Sequence, residues 1–584
     1  MSARELITEH LDLWTGAVTK KASSGRGSNG KVKLTGVKKL RELILELALS
    51  GKLVEAEESD ERAHQLLLRI ESEKARLAAE KIIKKPKKLE AASGDEPYQI
   101  PSHWCWVRLG QVTNYGVTDK VEPNQVADNT WVLELEDIEK ESSRLLNKVR
   151  YTERQFKSSK NRFKRGDVLY GKLRPYLDKV LVADEPGVCT TEIIPIRGYL
   201  GLLPEFLRLA LKSPNFKRYA NDSTHGMNLP RLGTDKARLA MIPLAPEQEQ
   251  HRIVQKVDEL MALCDRLEQQ TSDQLEAHET LVDTLLGTLT QSENATELAD
   301  NWARLAAHFD TLFTTEQSID KLKQTILRLA VMGRLVEQDA GEEPAAELMK
   351  RIQDGKDQLS RSSKQRKAKP LPPISESEEP FSLPSGWTLS RLDDIADIQG
   401  GIAKGKKAAG KKTRTLPYLR VANVQRSSLD LSEIKEIEIA EDEVERYLVR
   451  RRDLLITEGG DWDKVGRTAI WDGRIEPMAH QNHVFRARLI LAEQNDRWLE
   501  RYLNSQFARD YFAGSSKQTT NLASINKTQL RSCTVPLPPL AEQHRIVQKV
   551  DELMALCDQL KERLNQASET RNQLAGAVVE GALN

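Results

Sequence analysis

Seventeen consecutive residues, EQHRIVQKVDELMALCD, occupy Glu249–Asp265 and return without a change at Glu542–Asp558, an offset of 293. A solvated helix drifts freely in sequence, so an unchanged copy implies that both copies sit in equivalent surroundings. Apolar residues fall at Ile253, Val257, Leu260, Cys264 and Leu267, and again at Ile546, Val550, Leu553, Cys557 and Leu560. This alternating four-three spacing is a heptad seam, which packs one helix along another. Pro246 and Glu247, like Pro539 and Glu542, suit a helix start, where proline loses no bond and acids face the positive end of the dipole. The helices are predicted to run to about Leu289 and about Val579, each roughly 60 Å long at 1.5 Å per residue.

The flanking segments repeat as well. VKKLRELILELALSGKLVEAE at Val37 returns as IDKLKQTILRLAVMGRLVEQD at Ile319, and EPYQIPSHW at Glu96 returns as EPFSLPSGW at Glu379. The segments between the P-S-x-W openings and the long helices resemble each other only in outline: RGDVLYGKLRPYLDKV at Arg165 faces RRDLLITEGGDWDKVG at Arg451. Such a chain is a tandem duplication with two matched scaffolds and two dissimilar domains. The boundaries expected are a helical region at 1–95, a first domain at 96–245 and a long helix at 246–290. A second helical region with linker follows at 291–378, then a second domain at 379–538 and a long helix at 539–584. Short alternating apolar runs (WVLELEDI at Trp131, DVLYGKL at Asp167, TEIIPI at Thr191) and a helix near Pro204–Leu211 make the first domain α+β. Before it, residues 1–20 are read as a short helix and Lys20–Lys33 as a flexible basic linker. Helices are expected from Val37 to Gly51, a favourable C-cap residue, and from about Glu61 to Lys84.

A net charge of +1 excludes a uniformly basic, histone-like binder, so contact with nucleic acid must come from local patches. The five cysteines, odd in number and without a CxxC, fit a reducing cytoplasm, and Cys264 and Cys557 read as small apolar seam residues. No apolar run reaches the ~18–20 residues of a membrane span, and the amino terminus is too polar for a secretory signal.

Catalytic motifs are missing. Gly25–Gly30 satisfies G-x-G-x-x-G but follows no strand. Gly25–Val32, Gly400–Lys407 and Gly405–Lys412 imitate a P-loop without the Ser/Thr that would hold Mg²⁺. There is no Asn/Asp-Pro-Pro-Tyr box, no Phe-x-Gly-x-Gly loop and no Pro-Asp…Asp/Glu-x-Lys constellation. His480 and His483 form H-x-x-H without a cysteine or acidic cluster to complete a metal site.

The chain does carry basic and polar loops inside the two dissimilar domains. Gly171–Lys179 sets Lys172, Arg174, Tyr176 and Lys179 on a turn after a strand, where lysine neutralises phosphate and a guanidinium can grip guanine. Ser223–Asn228, with Thr224, His225 and Asn228, followed by Arg231, is a second polar loop. Its counterpart after the repeat offset is Ser516–Asn521, with Lys517, Thr519 and Asn521. Gly401–Arg414 is glycine-rich and cationic, carrying Lys404, Lys406, Lys407, Lys411, Lys412 and Arg414. Gly459–Lys464 with Arg467 is a tight turn around Trp462 and Lys464. A solvated surface is the competing reading for each of these loops.

With its repeats aligned, the chain resembles the specificity subunits of Type I restriction–modification systems over nearly its whole length. Pro243–Asp265 and Pro536–Asp558, the P-S-x-W openings, KLRPYLDK, EGGDWDKVGRTAIW and HQNHVFRAR carry the resemblance. The helices before Trp104 look like the longer-headed branch of that family. The resemblance implies an α+β fold of two α/β target recognition domains separated by two long antiparallel coiled-coil helices with pseudo-two-fold symmetry. Each domain would dock in the major groove of double-stranded DNA and read one half of a split, asymmetric site. Two modification subunits and two restriction subunits would carry S-adenosylmethionine, ATP and Mg²⁺, this chain binding no cofactor, no metal and no membrane. A stand-alone bipartite DNA-binding regulator is the alternative, but it leaves the matched helices after Gly51 and Gly333 without a role. A structural coiled-coil protein would not need two large non-heptad domains, and a self-sufficient enzyme would need the missing motifs.

Overall fold

The computed structural model describes residues 9–20, 32–84, 89, 96–226, 228–293, 295–362, 370–403, 411–460, 464–519 and 522–583. The chain divides into two compact units, residues 1–275 with 566–584, and residues 276–565.

In the first unit, α1 (Leu11–Gly16) buries Trp14 and leads into β1 (Val18–Lys20), which pairs antiparallel with β2 (Val32–Leu34). Of the helix expected over 1–20, the described residues show Leu11–Gly16 as helix and Val18–Lys20 as strand, and the expected linker ends in a strand; 1–8 and 21–31, with the G-x-G-x-x-G, lie outside the described residues. α2 (Thr35–Leu49) turns Val37, Leu40, Ile44 and Leu47 into the core. α3 (Ala63–Ala79) stops five residues short of Lys84. Its fully buried residues (Ala63, Leu66, Ile70) all lie in its first half, and Lys81 then takes a left-handed turn at φ +61°.

The domain that follows opens with β3 (Cys105–Arg108) and closes with β13 (Met241–Leu244), which pair antiparallel so that its two ends meet. Between them β4 (Asp119–Val121), β5 (Trp131–Leu133), β6 (Lys160–Phe163) and β9 (Gly187–Cys189) form a sheet in the order β4-β6-β9-β5, with β5 and β9 parallel. β7 (Val168–Gly171) lies between β10 (Ile193–Ile196) and β8 (Val180–Val182). The run at Trp131 gives only three strand residues. The Asp137 carboxylate accepts the Glu134 N–H at 2.8 Å, and a 3-10 turn over Leu135–Asp137 replaces the rest. α4 (Pro204–Lys212), α5 (Pro214–Asp222) and the hairpin β11 (Thr224–His225)/β12 (Arg231–Leu232) complete the domain before α6 (Glu247–Gln291).

The second unit repeats this plan. α7 (Ala295–Ala307), α8 (Glu316–Val331) and α9 (Ala345–Ser362) precede a domain closed by β14 (Thr388–Arg391) and β28 (Thr534–Leu537). One sheet runs β15 (Ala396–Gly400), β25 (Val484–Leu489), β21 (Leu454–Thr457), β23 (Thr468–Ile470). A second runs β19 (Lys435–Ala440), β16 (Thr413–Leu419), β24 (Met478–His480), β20 (Leu448–Val449), and β17 (Val424–Gln425) pairs with β18 (Ser428–Leu429). Helices α10 (Asp496–Asn504) and α11 (Gln506–Ser515) lead to α12 (Leu540–Leu583), four residues longer than the sequence suggests.

The unchanged seventeen residues have matched surroundings. Glu249 is buried and accepts from Trp104 Nε1 at 2.9 Å, with His103 Nε2 also 2.9 Å away. Glu542 accepts from Trp387 Nε1, again at 2.9 Å. Gln250 and Gln543 donate to the carbonyls of Ala245 and Pro538, both at 2.9 Å. Arg252 pairs with Asp60 and Arg545 with Glu342. The tryptophan of each P-S-x-W opening is therefore bonded to the start of its long helix. That arrangement orients the domain on its scaffold.

The heptad seam serves two cores rather than one. Ile253, Val257, Leu260 and Cys264 are buried in the core that also holds α2, α4 and β13, while Leu267 packs against that core with Val578 and Val579 of α12. Ile546 and Val550 belong to the second domain's core; Leu553, Cys557 and Leu560 join a helical core with Val282, Leu286 and Leu289 of α6 and Ile319, Leu322 and Ile326 of α8. Each unit thus combines the early part of one long helix with the late part of the other, the antiparallel arrangement. Polar ties repeat too. Arg41 meets Asp265 and Lys39 donates to the Asn572 carbonyl, both at 2.7 Å. At the equivalent positions Lys323 meets Asp558 at 2.6 Å and Lys321 meets Glu279 at 2.8 Å.

Candidate nucleic-acid interface

β7 is buried along its length and delivers the chain into the turn Lys172–Lys179. The turn is joined to the β11/β12 hairpin: Leu232 N–H donates to Lys172 at 3.0 Å, Arg174 N–H to Pro230 at 2.7 Å, and Leu173 bridges Arg231. Pro175–Leu177 form a 3-10 turn flanked by Arg174 and Asp178, both left-handed at φ +51° and +52°. Pro175 is buried beneath it, while Arg174 and Tyr176 are exposed. His225 and Asn228 are exposed on the hairpin beside them, and Thr224 Oγ1 donates to Asn221 at 2.8 Å.

Two residues of this set are placed otherwise than the sequence suggests. Lys179 turns inward and donates to the Leu135 carbonyl at 2.6 Å, and desolvation lowers its pKa, so it braces the turn from beneath. Arg231 pairs with Glu192 at 3.1 Å, and that hydrogen bond raises the guanidinium pKa; its charge is locally balanced.

The second domain repeats the arrangement with other residues. After β21, β22 (Gly459–Gly460) pairs with β27 (Leu522–Ser524), itself the partner of β26 (Lys517–Thr519). The exit turn of the central strand again meets the hairpin that precedes the last short helix. Lys464 is exposed, and its carbonyl accepts from Thr457 Oγ1 at 2.5 Å. Arg467 is half-buried and donates to Gln425 Oε1 at 2.7 Å, more a support of the turn than a free cation. Lys517 and Thr519 lie on β26. Trp462 and Asn521 fall outside the described residues, as do Lys404, Lys406 and Lys407.

Arg414 is exposed on β16, in a different sheet from Gly459–Gly460. Lys411 and Lys412 pair with Asp442 at 2.7 Å and Glu441 at 3.0 Å, so the segment carries less uncompensated charge than its sequence implies. His480 is fully buried with Nδ1 3.0 Å from the Tyr447 carbonyl, and His483 pairs with Glu458 at 2.8 Å. Among the described residues no group of three or more His, Cys, Asp or Glu could hold a metal, and no helix is long and apolar enough to cross a membrane. The sequence reading missed the turn Glu139–Arg144 and Lys212, which meet beneath Asp178; neither carries a motif, because an isolated lysine at a helix end looks like a solvated one.

Each unit therefore joins the chain leaving a buried strand to a hairpin, on a matched frame built from different residues. Residues 384–569 match the family model of the Type I restriction modification DNA specificity domain. The chain is 37% identical to the EcoEI and EcoAI Type I restriction enzyme specificity subunits of Escherichia coli, covering all of this chain and all of each relative. A crystal structure of the HsdS subunit from Thermoanaerobacter tengcongensis aligns over 83% of this chain and 98% of its own, at 20% identity and a TM-score of 0.42. The chain belongs to the Type I restriction–modification specificity subunits. It is a DNA target-recognition subunit of a multisubunit complex, not the subunit that performs the chemistry.

Proposed function

We propose that the chain reads a bipartite, asymmetric DNA site, residues 96–245 taking one half and residues 379–538 the other. The observation that carries this reading is the shared join in both units, Arg174 to Pro230 in one and Gly460 to Ala523 in the other, dressed with different side chains. In the first domain Lys172, Arg174, Tyr176, Thr224, His225, Asn228 and Arg231 form the contact surface, with Lys179 withdrawn to a supporting role. In the second it comprises Lys464, Arg467, Lys517, Thr519 and Arg414, together with Lys404, Lys406, Lys407, Trp462 and Asn521 on sequence grounds, and Lys411 and Lys412 once released from their acids.

Two modification subunits assemble on the paired helical scaffolds and supply adenine methylation from S-adenosylmethionine. Two restriction subunits add ATP- and Mg²⁺-dependent translocation and cleavage. This chain holds no cofactor, and the assembly works in the cytoplasm, in keeping with five free cysteines. Co-expression with the modification subunit, followed by native mass measurement, tests the stoichiometry. One chain with two modification subunits is expected; saturation at a single copy, or no complex, contradicts it.

A further inference from the structure

In each unit the residue that ends the first of the two helices before the hairpin sits where two loops meet. Lys212, the last residue of α4, is buried; its Nζ donates to the Glu141 carbonyl at 2.9 Å and to Ser143 Oγ at 2.6 Å, and lies 3.2 Å from Asp178 Oδ2. Glu141, Ser143, Arg174 and Asp178 all have positive φ, between +51° and +66°. They are four of the seven non-glycine residues in that state among those described, so the strain is concentrated in two loops that share this one ammonium. Left-handed backbone at such residues persists only where the surroundings enforce it.

Asn504 ends α10 at the equivalent place, one residue before Ser505 as Lys212 is before Ser213. Its Nδ2 donates to the Thr468 carbonyl at 2.8 Å and to Ser427 Oγ at 3.3 Å, and its Oδ1 accepts from Thr468 N–H at 3.2 Å. Ser427 is left-handed at φ +58°. Thr468 opens β23, the strand that follows Lys464–Arg467, just as Asp178 lies two residues before β8.

We propose that Lys212 and Asn504 are positioning residues that lock the exit turn of each domain's central strand, so that the side chains presented to DNA keep one orientation. The proposal rests on those turns belonging to the DNA interface. Neither residue touches DNA. They do the same work with different chemistry, a cation in one domain and a neutral amide in the other.

That difference gives a readout that a purely structural role would not move. Desolvation, with Arg208 and Lys217 nearby and Asp178 opposing them, brings the Lys212 pKa down to about 8. Above it the amine loses its charge and one donor. A lysine whose folded pKa lies below its unfolded value gives up its proton first in the folded state, so raising pH through this window adds stability rather than removing it. Discrimination should fall while fold stability does not.

The test uses the full chain in complex with its modification subunits, on a duplex carrying the adenine-methylated site and on duplexes with single-base changes in each half. Lys212→Met should reduce discrimination in the first half about tenfold and leave the second half unchanged. Lys212→Arg should restore it and hold it to pH 9, and Asn504→Ala should mirror the effect in the second half. Wild-type discrimination should weaken from pH 7 to pH 9 in the first half alone. Full discrimination by Lys212→Met, or equal loss in both halves, overturns the proposal. If that variant fails to fold, a pH-independent first half in the wild type overturns it instead. Arg174→Ala separates the two claims. If it weakens binding while Lys212→Met does not, only the positioning role fails; if Arg174→Ala has no effect, the interface assignment fails and takes this proposal with it.

Discussion

The backbone N–H of Arg174 donates to the carbonyl of Pro230 at 2.7 Å, joining two loops more than fifty residues apart in sequence. This bond makes the turn after β7 and the β11/β12 hairpin one surface. It also leaves the Arg174 side chain projecting from a backbone held in place on both sides, by the hairpin and by buried Pro175. The second domain achieves the same with Gly459 and Gly460 against Ser524 and Ala523.

Arg174→Ala should weaken binding to the cognate site by about 1–3 kcal/mol and relax discrimination at one base position. A phosphate contact would instead weaken binding to all sequences alike and reduce the log–log salt slope by about one. The held backbone favours base reading, since a fixed guanidinium can choose an edge. Binding to cognate and single-base variants at several salt concentrations decides it. Unchanged affinity with an unchanged slope would exclude this turn and move the contact to Ser223–Arg231.

Inserting one heptad after Leu267 should shift the spacing of the two half-sites or abolish binding, without changing the bases within either half. Readers docked on one face of DNA need half-sites about 34 Å apart, or a multiple of that distance. Methylation of the unchanged site at the original rate would show that the long helices do not set the spacing.

Gly51 and Gly333, each two residues beyond α2 and α8, close the turns after those helices with φ of +72° and +69°. A Cβ would lie 2.4 Å from Pro101 Cγ in the first case and 2.6 Å from Pro384 Cγ in the second. Alanine at either position should cost on the order of 2 kcal/mol, from left-handed strain and the forced shift of the proline. Gly287, in mid-helix with open space around it, should tolerate alanine with a gain of about 0.5–1 kcal/mol. Thermal melts that failed to separate Gly51→Ala and Gly333→Ala from Gly287→Ala would contradict the packing described here.

Acid should weaken the second domain through His480. Burial, helped by Arg486 and opposed by the Tyr447 and Gln399 carbonyls and Asp453, lowers its pKa to about 4. The unfolded chain then binds the extra proton between about pH 6.5 and pH 4, so stability is lost as pH falls through that window. Melting temperatures of the wild type should drop more steeply there than those of His480→Gln, and parallel curves would exclude the effect.

The scaffold was legible because the repeated residues make directional contacts. Glu249, Gln250 and Arg252 bond to Trp104, Ala245 and Asp60, and the copies at Glu542, Gln543 and Arg545 bond to Trp387, Pro538 and Glu342 in the same way, so neither copy could drift. The α+β class followed from the same duplication and the mixed patterns between its parts. Strand lengths were less legible, since a single cap such as Asp137 ends an alternating run that looks longer. Side-chain direction was the least legible feature. Lys179 reads like Lys172 in sequence but points to the Leu135 carbonyl, and Arg231 is balanced by Glu192 thirty-nine residues away. Lys212 gave no signal, because its partners at Glu141, Ser143 and Asp178 are brought to it only by the fold.

The central claim is that sequence reading is divided between the two dissimilar domains. Replacing residues 100–243 with those of a related specificity subunit, then sequencing the adenines methylated by the assembled complex, tests it directly. One half of the recognised site should change and the other half should stay as it was. A change in both halves, or in neither, would contradict it.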